Sequence, residues 1–313
     1  MSMPDRVAIV VCPKGLKIFK EHRGERRDLQ ICLLTHDNLG ATPRRRMTRW
    51  VDFPAGQDCL EFADLDPHAT YEVLSRRRHP LERVRHHAPR RTLHLEPHRL
   101  RLLLTGSGRC GTQTIAGFLD GMRFADGTLV QARHEPLSEY VVPALLAGQL
   151  DAVRAIQQGL GHNVEAAPYY TLYPEAVTAE TTIHLIRDGR DVVQSGLNRG
   201  WYQNDSPWNR LKPRFAGDPF VQSCHFWRLA CERAEAAAGH TARLEDLSQS
   251  AAAREEFLRQ LGIVADGREF PHANRGHVPA SHRDWSPQQH ETFATIAGSV
   301  MDRYYPGWRA AWH

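Results

Sequence analysis

The chain has 313 residues, a formal net charge of +4 and 41% hydrophobic residues, enough length for one α/β domain plus an extra module. No run approaches the ~18 consecutive apolar residues of a spanning helix, and Val7–Val11, closely preceded by Asp5 and Arg6, is too short for a signal sequence, so a cytoplasmic protein without a membrane span is expected. Cys12, Cys32, Cys59, Cys110, Cys224 and Cys231 show no CxxC pairing, which argues against both a zinc site and a disulfide framework.

From the N-terminus, runs rich in β-formers recur at 7–12, 16–20, 29–35, 47–53, 59–63 and 70–74, separated by Gly, Pro, Asp and Asn. That spacing predicts a small antiparallel β module over residues 1–97. Its job is not legible; recognising an acceptor, assembly and covering one face of the following domain all suit it. The stretch from Arg76 to Arg101 then holds nine Arg and five His against Glu82 and Glu96. A polyanion would suit such a stretch, but it lacks the interleaved aromatics of a nucleic-acid surface and reads as a solvated basic linker.

Residues Leu100 to Leu119, LRLLLTGSGRCGTQTIAGFL, run from an apolar strand through a Gly-rich turn into an amphipathic helix with Ile115, Phe118, Leu119 and Met122 at i, i+3, i+4 and i+7. Gly106, Gly108 and Gly111 let the backbone turn its N–H groups toward an anion, and the helix N-terminus adds partial positive charge. A Walker A loop needs a lysine where Thr112 stands; Arg109 is the strong cation instead, suited to a single phosphate or phosphosulfate group. A thiol at Cys110, beside Arg109 and a helix N-terminus, is a candidate for a depressed pKa, and a small-residue slot accounts for it equally well.

Gln131 to Pro136, QARHEP, places two proton acceptors, His134 and Glu135, side by side. The alternative is that His134 orients the loop and Glu135 pairs with Arg133. Thr181 to Leu197, TTIHLIRDGRDVVQSGL, reads as a buried parallel strand to Ile186 and a helix from Asp191. Arg187 therefore leaves the strand at its C-terminal end, the ligand edge of an open parallel sheet, and Ser195 falls on the second helical turn. The competing possibility is that Arg187, Asp188, Arg190 and Asp191 only pair with one another.

Farther on, Phe220, Cys224, Trp227, Cys231, Ala234 and Ala238 form a helical core stripe. Ser286-Pro287-Gln288-Gln289 is a capping-box start for a helix burying Phe293, Ile296, Ala297, Val300, Met301 and Tyr304.

The two strand-loop-helix segments, in this order, resemble the sulfotransferase family that uses 3′-phosphoadenosine 5′-phosphosulfate (PAPS). The 5′-phosphosulfate loop of that family is similar to Gly108-Arg109-Cys110-Gly111-Thr112-Gln113, and its 3′-phosphate motif to Arg187 with Ser195 eight positions on. Arg243 to Leu247 resembles its strand-end segment, with Leu244 where an aromatic is frequent. Arg275-Gly276 followed by Arg283-Asp284-Trp285 resembles a loosened form of its last cofactor loop. The resemblance covers residues 98–313 and implies a P-loop-type, three-layer α/β fold with a central parallel sheet flanked by helices. It also implies transfer of a sulfuryl group from PAPS to a hydroxyl of a small-molecule or carbohydrate acceptor, with no metal.

In roles, the resemblance implies that Arg109 contacts the bridging oxygen and the 5′-phosphate, and that amides from Cys110 to Thr114 bind the 5′-phosphate. Arg187 and Ser195 would bind the 3′-phosphate, with Arg275 and Gly276 as further cofactor contacts. Glu135 is the expected base and His134 its rival. Acceptor pockets in such a fold are made by loops, expected here at 121–174 and 200–218. Tyr169, Tyr170, Trp201, Tyr202 and Trp208 would line a sugar or aromatic site or else be packing. The alternatives are a P-loop kinase or NTPase, which the missing Walker lysine opposes, and a non-catalytic binder of nucleic acid or another polyanion.

Overall fold

The computed structural model describes residues 7–12, 15–20, 29–37, 44–47, 50–54, 57–63, 65, 70–77, 100–271 and 281–312. They fall into two compact units: Met1–Arg99 with Leu137–Val141 and Asp151–Gly161, and Leu100–Pro136 with Val142–Leu150 and His162–His313. Most of the basic stretch lies outside the described residues.

In the first unit, β1 (Val7–Cys12), β2 (Gly15–Lys20), β3 (Leu29–Asp37), β4 (Arg44–Met47), β5 (Val51–Phe53), β6 (Cys59–Ala63) and β7 (Thr70–Arg77) pair antiparallel in two sheets. One has the order β1-β2-β6; in the other, β3 carries β7 on one edge and both β4 and β5 on the other. The single run expected over 47–53 is therefore two short strands. At nine residues β3 is long enough to seat them end to end, Leu34–Asp37 against β4 and Leu29–Ile31 against β5. Leu16, Ile18, Leu29, Ile31, Leu33, Phe53, Leu60 and Val73 form its core.

The second unit runs from β8 (Leu100–Thr105), α1 (Thr112–Leu119), β9 (Arg123–Phe124) and β10 (Ala132–His134), through α2 (Ser138–Leu146) and α3 (Leu150–Gly159), whose residues divide between the units. Then come β11 (Val164–Ala166), β12 (Ala179–Ile186), α4 (Gly189–Leu197), α5 (Pro207–Leu211), α6 (Pro219–Ala237) and β13 (His240–Arg243). The chain ends with α7 (Leu244–Gln249), α8 (Ala251–Gln260), β14 (Ile263–Val264) and α9 (Pro287–Tyr304). The five strands β10-β11-β8-β12-β13 make one parallel sheet.

The mostly apolar β8 and the buried second half of β12, Ile183–Ile186, reflect burial on both faces. Leu102, Leu104, Ile183 and Leu185 pack with Ile115 and Phe118 of α1, Leu247 of α7 and Phe257 of α8. A second cluster joins Ile186 to Val192 and Val193 of α4, Trp227 of α6, and Phe293, Val300 and Met301 of α9. Of the core stripe read on Phe220 to Ala238, the members to Ala234 are buried, whereas Ala238 is the half-buried C-cap of α6; the capping box at Ser286 closes with Gln289.

The chain leaves β8 toward β10 and β11 on one side, whereas β12 and β13 lie on the other. The carboxyl ends of β8 and β12 are thus the topological switch point of the sheet, where connections diverge and leave a crevice. Among the described residues no helix is long and apolar enough to cross a membrane.

Trp227 is fully buried, and its indole fills the space beside Gly189, where an added Cβ would lie 2.7 Å from the ring. Trp227→Ala should lower the unfolding free energy by ~3–5 kcal/mol, measured by urea denaturation. A loss below ~1 kcal/mol would show that the second cluster does not depend on this ring.

Candidate functional site

The turn after β8 lies against the carboxyl end of β12. A Cβ on Gly106 would stand 2.4 Å from the Leu185 carbonyl oxygen, so only glycine fits there. Gly108, Arg109 and Gly111 then take φ values of 77°, 56° and 90°, the left-handed region that glycine enters freely and arginine enters at a cost. Gly111 is the N-cap of α1, and among the described residues no side chain caps the first-turn amides, which also have no acidic neighbour in that turn. Those amides stay available to an anion.

Gly108, Arg109, Gly111, Thr112, Gln113 and Thr114 all border one cavity of about 1170 Å³, together with His134, Glu135, Arg187 and Ser195. Cys110 turns the other way. Its thiol is fully buried in the core under α1, and that burial pushes it up to about 11. The possibility of an activated thiol is overturned: lost hydration outweighs the nearby positive charge, and the residue fills a small-residue slot.

The two motifs meet. Arg109 Nε donates to Ser195 Oγ at 3.0 Å, and Arg187 Nη1 donates to the Arg109 carbonyl oxygen at 3.4 Å. Arg199, one helical turn beyond Ser195, reaches the same cavity. Burial, then the like charges of Arg199 and Arg187, push the Arg109 guanidinium down. Crowding of this kind is relieved by an anion.

The ion pairs weighed against a ligand role exist beside it. Arg187 Nη2 pairs with Asp191 Oδ2 at 3.1 Å, and Arg190 Nη2 with Asp188 Oδ2 at 2.7 Å. The second pair is structural, since Arg190 is buried and also donates to the Trp308 carbonyl oxygen. The first is not closed: Asp191 Oδ1 also meets His282 Nδ1 at 2.8 Å, and Arg187 still borders the cavity. Burial pushes the Asp191 carboxyl up, but the His282 bond and the Arg187 charge outweigh it and hold it below the usual carboxylate range.

Bordering the same cavity, β10 ends in His134 and is followed by Glu135 at φ 45°. Its amide is fixed by the Ala166 carbonyl oxygen at 3.1 Å, and a strained non-glycine residue held by its surroundings is common at functional sites. Burial drives the Glu135 carboxyl up to about 7, although Arg109 pulls it down. Burial, then Arg109, drives His134 down to about 4. The imidazole Nε2 lies 3.1 Å from Thr112 Oγ1 and 3.4 Å from Glu135 Oε1. Glu135 therefore meets His134, not Arg133, and His134 ties the two loops together.

Tyr169, Trp201, Trp208 and Phe226 give the same cavity an aromatic lining, with Trp201 packed on Gly196 and reaching to 3.9 Å from where a Cβ on Gly108 would stand. Tyr170 and Tyr202 are buried as packing, Tyr202 donating its hydroxyl to the Pro213 carbonyl oxygen at 2.9 Å. The segment 121–174 is not one acceptor loop, since it carries three strands and two helices; only its residues around 134–135 and 168–172 reach the cavity. Leu244 borders the cavity and occupies the space a Gly111 side chain would need. Arg275 and Gly276 lie outside the described residues.

Asp191, Arg199, His282 and Lys212 join the site without having been expected there. Arg199 had a signal, four positions past Ser195 in the turn that follows α4; His282 falls within the segment read as the last cofactor loop, next to Arg283, but had no signal of its own. Among the described residues no cluster of His, Cys, Asp or Glu is arranged for a metal ion. No protein-family model matches the chain, and no curated protein matches it.

A carboxyl raised from 4.5 to about 7 stabilises the fold most at low pH, and that contribution is lost as pH rises through this window. Relative to the wild type, Glu135→Gln should therefore gain stability steadily between pH 4.5 and 7. Urea denaturation of both proteins across that range tests it; a constant difference would place Glu135 in water.

Proposed function

We propose that the chain is a PAPS-dependent sulfotransferase with a P-loop-type, three-layer α/β domain, transferring a sulfuryl group to an acceptor hydroxyl. The observation that carries it is the convergence of Arg109, Arg187, Arg199 and the uncapped amides of α1 on one cavity that Glu135 also borders. At about 1170 Å³ that cavity exceeds the ~300–1,000 Å³ of a single-ligand site, which supports a nucleotide and an acceptor side by side.

The residues fit the nucleotide by their chemistry. Three guanidiniums that repel one another favour a ligand with separated anionic groups, and Arg forks suit phosphate oxygens. PAPS would supply the sulfuryl group and a phosphate leaving group. Amides from Gly111 to Thr114 and the Arg109 guanidinium would hold the 5′ end and neutralise charge growing on the leaving oxygen. Ser195 keeps Arg109 oriented through their 3.0 Å bond, and Arg187, with Ser195, would take the 3′-phosphate.

Glu135 is the base in this scheme. A carboxyl held near 7 is half ionised at neutral pH and basic enough to accept the acceptor proton in the transition state. His134, kept neutral and engaged with Thr112, orients that carboxylate and the loop. Tyr169 and Trp208, with ring centroids 5.5 Å apart, offer an aromatic or sugar acceptor a flat face beside Glu135.

Calorimetric titration with 3′-phosphoadenosine 5′-phosphate, compared with ATP and Mg²⁺, tests the nucleotide. Preference for the bisphosphate is expected, and Arg187→Ala should weaken it by ~1.5–3 kcal/mol; binding of ATP alone would favour a kinase or NTPase. Glu135→Gln should keep the bisphosphate affinity and slow sulfuryl transfer by ~10²–10⁴-fold. Full turnover by that variant, with loss in His134→Ala, would move the base to the histidine.

A further inference from the structure

Lys212 stands just past α5, borders the cavity beside its aromatic lining, and is only 7% exposed. Its ammonium donates to the Trp208 carbonyl oxygen at 3.0 Å and to Asn209 Oδ1 at 3.1 Å. It also lies over the rings of Trp201, at 5.1 Å, and Phe226, at 5.7 Å. An ammonium has three donors, so one remains after these two bonds. Among the described residues no Asp or Glu pairs with it, and the charged group acting on it is another cation, Arg214.

A buried ammonium without a counter-charge is costly, and neutral oxygens and ring faces compensate it only in part. The Asn209 amide cannot turn to help further, because its Nδ2 is held by the Gly200 and Asn204 oxygens. The choice of residue is informative as well. The other lysines of the chain are Lys14, Lys17 and Lys20, and elsewhere arginine supplies its strong cations. A compact, strongly hydrated point charge between two rings suits a small oxyanion entering from the cavity, whereas a guanidinium would need more width.

We infer that Lys212 anchors an oxyanion carried by the acceptor, so that the molecule seated against Trp201 and Phe226 is an anionic hydroxy compound. This rests on the reading of the aromatic lining as the acceptor's place. The nucleotide and the acceptor then each have their own cations in one cavity, Arg109 and Arg187 for the first and Lys212 for the second. Glu135, whose carboxyl burial keeps largely protonated below pH 7, borders the same cavity. A carboxylate and a sulfate or phosphate ester share the chemistry that Lys212 recognises.

The test uses the full chain, with and without saturating 3′-phosphoadenosine 5′-phosphate, and matched probes. D-glucuronate and D-glucose 6-sulfate are compared with D-glucose, and 4-hydroxyphenylacetate with 4-hydroxyphenylethanol. In at least one set an anionic member should bind ~10-fold or more tighter than its neutral partner, as one charge-assisted bond implies, and Lys212→Met should erase the difference. The two sugar acids separate a carboxylate from a sulfate ester.

Reductive methylation of the wild type, read by mass spectrometry, removes any dependence on the variant folding. The favoured anion should slow modification of Lys212 and leave the half-exposed Lys17 unaffected. Neutral members binding as tightly as anionic ones in every set, a preference that survives Lys212→Met, or unchanged Lys212 modification overturns the proposal. Protection of Lys212 by an anion in a chain that ignores the bisphosphate would keep the anion subsite and discard the sulfotransferase; the reverse result would discard the subsite alone.

Discussion

Like-charge crowding at the carboxyl edge of a parallel sheet is the constraint on which the site depends. Arg109 comes from the turn after β8, Arg187 from the end of β12, and Arg199 from just beyond α4, and their charges bear on one another. Asp191 offsets part of this for Arg187 and divides its carboxylate with His282. The sheet forces the meeting. Adjacent parallel strands put their carboxyl ends side by side, and at the switch point no connection crosses over them. This concentrates positive field in a walled cavity, the condition under which an anion is drawn in and oriented.

Holding the cations there requires backbone that is not at its own minimum. Arg109 and Glu135 both take positive φ, at a cost of order 1–3 kcal/mol each for non-glycine residues. The frame that imposes this is stiff. Leu104, Ile183 and Leu185 lie between two packed helical layers, and Gly106 touches the β12 backbone so closely that the turn has no room to relax. The strained residues stand in the loops that leave β8 and β10, and both border the cavity.

Much of this was legible in the sequence, and for definite reasons. Short β-forming runs at 100–104 and 182–186, apolar but for Arg101, Thr182 and His184, mark buried strands, and the glycines at 106, 108 and 111 mark the turn between strand and helix. Arg187 and Ser195 could be placed at one sheet edge because a strand end and a helical repeat fix their separation. What stayed hidden depends on groups brought together from distant segments. His282 reaches Asp191 across 91 positions, and nothing local to either predicts it. The raised Glu135 carboxyl and the inert Cys110 thiol are products of burial, a property of the packed fold. At 187–191 the local pattern permitted ion pairing or ligand binding, and the structure uses one carboxylate in a way that leaves both open.

Glu135 and Arg109 bind these observations into one device. Each acts on the other: Arg109 pulls the Glu135 carboxyl down while burial pushes it up, and the balance rests near neutral pH. An anion engaging Arg109 would neutralise that pull, so the carboxylate would become more basic as the anion arrives. Burial alone would leave Glu135 protonated at neutral pH, and a fully exposed carboxylate beside an arginine would be a weak base. The two opposing effects leave a carboxyl that exchanges its proton near neutral pH, in a cavity that Arg109, Arg187, Trp201 and Trp208 also border.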